Sequence, residues 1–455
     1  MARKPSQRYA CTNCGAITSA WAGRCSQCGE WNTLEEEIVT VSANILGTAA
    51  ASPGRTLETS DVEAVASHDM QRVKTGMADT DTVLGGGIVP GSVVLLAGQP
   101  GIGKSTLLLQ LSYAIPQSTD ALYVSAEESA HQVGLRASRL GADHGKLHIA
   151  SSTSTDDIAA TIASGKYPVV VVDSIQTVAC ASVASAPGSV SQITNSTTML
   201  MQAAKLSNTA LIIVGHVTKE GNIAGPKVLE HVVDVVLQLE GDRYGGFKIL
   251  RAVKNRFGST SEAGIFEMAD SGLRPVENPS AALLAERQVS DGSIVLATME
   301  GTRPLLVEVQ ALVNKTSYGY PKRTASGFDL NRLNLLVAVL ERRTKLQLAE
   351  QDIYINIVGG IRINEPAADL AVCLAIGSAA RGMQLSGNVV VFGEVGLSGE
   401  VRHVPFAEKR IEEAKKLGFD TAIGPAVRSG KKPNGLESVT DVRMALNSFL
   451  AKEDN

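Results

Sequence analysis

The chain has no surplus of positive charge: 42 Lys and Arg stand against 46 Asp and Glu, a net charge of −4. That excludes a polycation that coats nucleic acid by bulk charge, so any such binding must come from local basic patches. Long apolar runs are missing too. Stretches such as YPVVVVD and ALIIVG are far too short to cross a bilayer. The basic start, MARKPSQRYACTNC, has no apolar segment behind it and does not read as a secretory signal. The expected compartment is therefore cytoplasmic, with no membrane partner. Cysteine is scarce, at six residues, and disulfides are not expected in that compartment. What remains is a chain of 455 residues, 44% hydrophobic and 19% charged. That length suits about two to four domains.

Four of the six cysteines crowd into CTNCGAITSAWAGRCSQCG, as Cys11, Cys14, Cys25 and Cys28. The spacing is C-x2-C-x10-C-x2-C. A two-residue gap lets both thiolates of a pair face one metal, and Gly15 and Gly29 permit the tight turns. Four sulfurs suit a closed, structural zinc site. A redox dithiol or paired disulfides are the alternatives. The segment is too short to fold on an apolar core, so metal binding is expected to supply most of its folding free energy. Both tryptophans, Trp21 and Trp31, are expected to pack against the knuckles. Arg3, Lys4, Arg8 and Arg24 make the ribbon basic, which suits DNA, a DNA-bound partner or a solvated surface. The ribbon takes residues 1–34. Residues 35–70, rich in Ala, Ser, Thr and Gly without a sustained period, read as a linker.

The strongest signal is SVVLLAGQPGIGKSTLLLQLSYA. A buried strand is followed by Gly98, Gln99, Pro100, Gly101, Ile102, Gly103, Lys104, Ser105 and Thr106, which satisfies G-x4-G-K-[ST]. Next comes a helix with Leu107, Leu108 and Leu111 on its core face. Strand, glycine loop and helix are the context this phosphate-binding motif requires. Loop N–H groups and the helix N-terminus cradle phosphate. Lys104 is placed to reach the β- and γ-phosphates of ATP, and the Ser105 hydroxyl to ligate Mg2+. Strands and helices then alternate as in a parallel α/β sheet. In such sheets the ligand lies at the carboxyl ends of the strands. ALYVSAEES ends in Glu127 and Glu128, YPVVVVD in Asp173, and ALIIVGH in His216. Asp173 is the expected Mg2+ holder. Glu127 is the expected base for the attacking water, with Glu128 its competitor. His216 is either a γ-phosphate sensor or a plain strand-end histidine.

TGMADTDTVLGGGIVPGS (residues 75–92) precedes this loop, and KNRFG follows it as Lys254, Asn255, Arg256, Phe257 and Gly258. With the cysteine box and GQPGIGKST, these motifs closely resemble the bacterial RadA (Sms) family of DNA repair proteins over essentially the whole chain. The resemblance implies a RecA-like ATPase domain, here 71–275, assembled as a hexameric ring. It implies a DNA-dependent ATPase of homologous recombination, translocating on single-stranded DNA to extend or branch-migrate recombination intermediates with RecA. Taken alone, KNRFG is a basic turn after the strand FKILRAV. The resemblance makes Lys254 and Arg256 candidate trans fingers for a neighbour's γ-phosphate, with DNA contact the runner-up. Residues 178–195 and 218–227 are expected to be mobile DNA-facing loops. Neither contains an aromatic residue, so phosphate contacts through Lys219 and Lys227 should outweigh base stacking.

Residues 276–455 are similar to the Lon protease domain, an α+β fold. That family's catalytic serine falls on Ala367 in INEPAADLAV and its lysine on Glu408, with Lys409 next to it. Without nucleophile or base, acyl transfer has no route, so the domain is expected to be proteolytically inert. It is expected to join ring subunits, and its Lys322, Arg323, Arg342, Arg343 and Lys345 are candidates for duplex contact or a solvated face.

Overall fold

The computed structural model describes residues 7–11, 17–18, 20–38, 71–115, 119–142, 146–216, 228–241, 246–317, 319–385, 387–427 and 432–452. The linker at 39–70, the loop at 218–227, Arg3, Lys4 and Cys14 lie outside them. No described helix is long and apolar enough to cross a membrane.

At the N-terminus, β1 (Gln7–Cys11), β2 (Ile17–Thr18) and β3 (Leu34–Ile38) form an antiparallel sheet in the order β2-β1-β3. Its core is Cys11, Cys25 and Leu34 with Tyr9 against them, too little apolar surface to hold a fold. The tryptophans do not add to it. Trp21 is 59% and Trp31 68% exposed, against the expectation that they pack on the knuckles. Instead the Arg24 guanidinium lies over the Trp31 ring, 5.8 Å from its centroid. Arg8 on β1 lies across from Glu37 on β3 in the register of the sheet.

The ATPase elements follow. They are α1 (Ala78–Val83), β4 (Val93–Gly98), α2 (Lys104–Ala114), β5 (Ala121–Ser125) and α3 (Ala130–Arg139). Next come β6 (Leu147–Ser151), α4 (Thr155–Ala163), β7 (Val169–Asp173), α5 (Val190–Ser207) and β8 (Ala210–His216). The run closes with α6 (Val228–Val232), β9 (Val235–Gly241), β10 (Phe247–Asn255), β11 (Ala263–Ala269) and β12 (Gly272–Pro275). They build one nine-stranded sheet in the order β12-β11-β10-β9-β4-β8-β7-β5-β6. From β9 to β6 every pairing is parallel. Strands β4, β5 and β7 are near-continuous apolar runs because helices cover both faces. Ser129, Ser154 and Ser189 cap α3, α4 and α5 with their side chains, which fixes where each helix begins.

The segment expected as a mobile loop at 178–195 is held in place. Its last six residues belong to α5. Buried Gln192 donates to the carbonyls of Val183 (2.8 Å) and Ser185 (2.9 Å) and accepts from the Cys180 N–H (2.9 Å). A run of small polar residues reads as loose until one buried amide satisfies its backbone.

The chain divides into two compact units. One is Met1–Glu240 with Leu250–Thr260 and Ala269–Leu273, and the other is Gly241–Ile249, Ser261–Met268 and Arg274–Asn455. The second holds α7 (Pro279–Leu284), β13 (Ser293–Glu300), β14 (Arg303–Lys315), β15 (Arg323–Ser326), α8 (Leu330–Thr344), β16 (Gln351–Ile357) and α9 (Asp369–Arg381). It continues with β17 (Met383–Leu385), β18 (Val389–Val391), β19 (Glu394–Val395), β20 (Val401–Arg402), α10 (Ala407–Lys416), β21 (Thr421–Pro425), β22 (Leu436–Val439), α11 (Val442–Phe449) and β23 (Leu450–Lys452). Seven strands pair in the order β15-β16-β14-β13-β18-β21-β22. Helix α9 is buried from Asp369 to Ser378, as its nearly all-apolar sequence requires. On α8, Leu333, Val337 and Leu340 are buried, but Leu330, in the first turn, is exposed.

Candidate functional site

The phosphate loop begins where β4 ends. Gly98 lies level with His216 on β8 and Leu239 on β9. A side chain on Gly98 would place Cβ 2.7 Å from the Leu239 carbonyl, so glycine is required there. The loop turns through Gly101 and Gly103 at φ +77° and +112°. Gln99, Pro100 and Gly101 are exposed, Ile102 anchors the loop in the core, and Lys104 opens α2.

Lys104 is 5% exposed. Its Nζ donates to the carbonyls of Gly98 (2.8 Å) and Gln99 (3.0 Å). Burial lowers its pKa to about 8, against an upward pull from Asp173 and Glu127. Those two carboxylates therefore share the site with the lysine, as the strand ends imply. Asp173 ends β7 opposite Ser125 of β5 and accepts a hydrogen bond from the Tyr123 hydroxyl. Glu127 accepts from the Ser174 hydroxyl at 2.6 Å. Glu128 is engaged elsewhere, in an ion pair with Arg136 of α3. Glu127, not its competitor, is thus the carboxylate beside the phosphate loop. The Tyr123 pKa is raised by burial and then by Asp173, against a downward pull from Ser105. Hard oxygens from Ser105 and Asp173 suit Mg2+. His216 holds its register position on β8 beside Gly98. Tyr123 and Ser174 are site residues that sequence reasoning missed; the one available signal was a lone phenol in the aliphatic strand ALYVS.

KNRFG straddles the end of β10: Lys254 and Asn255 are its last two residues, and Arg256, Phe257 and Gly258 lie in the turn toward β11. Lys254 Nζ donates to the carbonyls of Glu230 (2.8 Å), His231 (3.3 Å) and Val233 (2.7 Å). It caps the C-terminal end of α6, where a cation is favoured. Arg256 differs: its side chain is 57% exposed and 4.0 Å from Asp234. The turn docks on the residues just after α1. Arg72 donates to the carbonyls of Leu84 (3.2 Å) and Phe257 (2.8 Å). Asn255 donates to Val83 O (3.3 Å) and accepts from the Phe257 N–H (2.9 Å). A Cβ on Gly258 would sit 3.0 Å from Gly85 Cα. TGMADTDTVLGGG and KNRFG, far apart in sequence, are two halves of one contact.

This contact lies at the end of the sheet opposite the phosphate loop. The Arg256 N–H bonds the Asp234 carbonyl (3.2 Å), and the Asp234 N–H bonds the carbonyl of Val93 at the start of β4 (3.0 Å). The phosphate loop leaves from Gly98 at the end of β4. A strand of that length spans roughly 17 Å.

In the ribbon, the ligand sulfurs of Cys11, Cys25 and Cys28 lie within 4.8 Å of one another. Cys11 and Cys28 are 3.7 Å apart at sulfur, close to the edge of about 3.8 Å in a tetrahedron with Zn–S near 2.3 Å. A disulfide would need about 2.05 Å. The donor set suits structural zinc.

Comparisons with known proteins agree with these parts. Residues 9–36 match the rubredoxin metal binding domain, 58–222 an AAA domain, and 334–427 subunit ChlI of Mg-chelatase. The DNA repair protein RadA of Bacillus subtilis is 48% identical over 98% of this chain and 99% of its own. Those of Pseudomonas aeruginosa and Escherichia coli are 47% identical (98% and 99% covered) and 45% identical (96% of each). With ribbon, phosphate loop and KNRFG turn all in place, this chain belongs to the RadA family of DNA repair proteins.

Proposed function

We propose that the protein is a DNA-dependent ATPase of recombinational repair that works as a ring, because its own Arg256 is placed away from its own phosphate loop. The observation that carries this reading is the placement of Arg256 at the opposite end of β4 from Lys104. At roughly 17 Å, the guanidinium is out of reach of a γ-phosphate in its own subunit. An adjoining subunit in a cyclic assembly can present it to the next site, because head-to-tail contacts juxtapose different faces of one chain.

Each residue then has a role. Lys104 binds the β- and γ-phosphates. Ser105 and Asp173 hold Mg2+, which supplies charge neutralisation on the phosphates. Glu127, held by Ser174, orients the attacking water. The neighbour's Arg256 meets charge developing on the γ-phosphoryl group. Lys254 serves mainly by fixing the end of α6, which supports the turn that carries Arg256. His216, level with Gly98, relays nucleotide state to the segment after β8. Lys219 and Lys227 in that segment contact single-stranded DNA. Turnover drives movement along the strand, extending or branch-migrating recombination intermediates together with RecA. The 276–455 domain is a scaffold without peptidase activity.

Two variants test the trans site. Lys104→Ala should abolish nucleotide binding. Arg256→Ala should spare binding and slow turnover by about 10²–10³-fold. Mixed in equal amounts, the two inactive proteins should recover activity at about a quarter of interfaces, where Lys104 of one meets Arg256 of the other. No recovery on mixing would refute the shared site. Normal turnover in Arg256→Ala with failed DNA processing would make Arg256 a DNA contact instead.

A further inference from the structure

Tyr123 is the only aromatic residue of β5, in the sequence ALYVS. It is 1% exposed, and its ring alone would pack as well if it were phenylalanine. The hydroxyl is what burial does not explain, since a buried phenol needs a partner. It donates to Asp173 Oδ2 on β7, and Ser105 on α2 is close enough to act on the phenol and pull its pKa down. The register explains the reach. Tyr123 lies directly across from Val171, so Asp173, two residues on, is its diagonal neighbour on the same face.

We propose that the Tyr123 hydroxyl is the positioning group of the magnesium site, holding the Asp173 carboxylate beside Ser105 so that the metal-holding oxygen is ordered before nucleotide arrives. This rests on reading Ser105 and Asp173 as the Mg2+ holders. A group that orients metal ligands acts on metal affinity more than on the rest of the ligand's contacts.

The test uses the full-length chain and a fluorescent ATP analogue, titrated in EDTA and at rising Mg2+. Tyr123→Phe keeps the ring and removes one oxygen. Affinity in EDTA should stay within about twofold of the parent, while the Mg2+ concentration for half-maximal enhancement of binding rises on the order of tenfold. An unchanged Mg2+ midpoint overturns the proposal. So does an equal loss of affinity with and without the metal, which is the mark of a packing role. Thermal melting run alongside reports the fold. In an Asp173→Asn background, Tyr123→Phe should move the Mg2+ midpoint no further, and full additivity there also overturns it. Asp173→Asn alone separates the two readings. If it leaves the midpoint in place, the metal-site reading falls and this inference with it. If it moves the midpoint and Tyr123→Phe does not, only this inference falls.

Discussion

Lys104 is a buried cation whose pKa of about 8 is set first by desolvation. The ammonium binds phosphate, and its neutral form does not. Below about pH 8 the proton is already present and nucleotide binding is independent of pH. Above that, up to the ordinary lysine value, binding must take up a proton. Affinity should then fall by as much as about tenfold per pH unit. Measuring the Kd of a fluorescent ADP analogue at pH 7, 8 and 9 checks this; a flat profile through pH 9 would contradict it. The same shift makes the nucleotide-free protein gain stability as pH rises across that window, because the unfolded chain then binds the extra proton. Lys104 was legible in the sequence because G-x4-G-K-[ST] is a local pattern, and so was Asp173 at the end of four valines. Tyr123 and Ser174 were not, because their hydroxyl contacts exist only once β5 and β7 pair. Trp21 and Trp31 were misread for a related reason: large apolar residues were assigned to a core with room for little beyond Cys11, Cys25 and Leu34.

Among the elements, the alternation of strands and helices and their order of appearance follow from apolar runs and serine caps. The pairing of KNRFG with the LGGG turn does not, since neither stretch carries a sign of the other. The contact depends on two glycines: Gly85, at φ +79°, would place a Cβ 3.1 Å from Gly258 Cα. The nearest atom on each side is backbone, which cannot swing aside as a side-chain end can. Gly258→Ala should therefore cost about 1–3 kcal/mol by overpacking and shift the turn that carries Arg256. The expected signature is unchanged binding of a fluorescent ATP analogue with reduced turnover. Arg72→Ala, which removes the bonds to Leu84 and Phe257, should change the same two quantities in the same direction. If either variant weakens nucleotide binding as much as turnover, the turn is not a separate catalytic part. Gln192 belongs to the same class of unannounced contact, since one buried amide converts 178–189 from a chain of small residues into an ordered loop.

Across the whole molecule, each part relies on a different source of order. The ribbon relies on metal because its core is minimal, the ATPase sheet on covered apolar strands, and the second unit on a large core that also buries charge. Within that last unit, Arg410 is fully buried. It donates to Glu365 Oε1 (2.9 Å) and Oε2 (2.8 Å) and to the Ala297 carbonyl (2.6 Å). Glu365 in turn accepts from the Thr298 hydroxyl and the Met299 N–H. This network sits two residues from Ala367, itself buried, where the Lon-like pattern would place a nucleophile. The sequence made the missing serine and lysine legible, but gave no sign of a buried ion pair in their neighbourhood. An internal pair of this kind is costly to break because the surviving charge is left unpartnered. Glu365→Ala should thus destabilise the second unit by about 3–5 kcal/mol, seen as a lower denaturant midpoint. Glu365→Gln keeps some hydrogen bonds and should cost less. Ala367→Ser, by contrast, should leave casein uncleaved, because Glu408 stands where the base is needed and no lysine is aligned to activate the hydroxyl. Cleavage of casein by Ala367→Ser would mean that another group serves as base and that the scaffold reading of this domain is wrong.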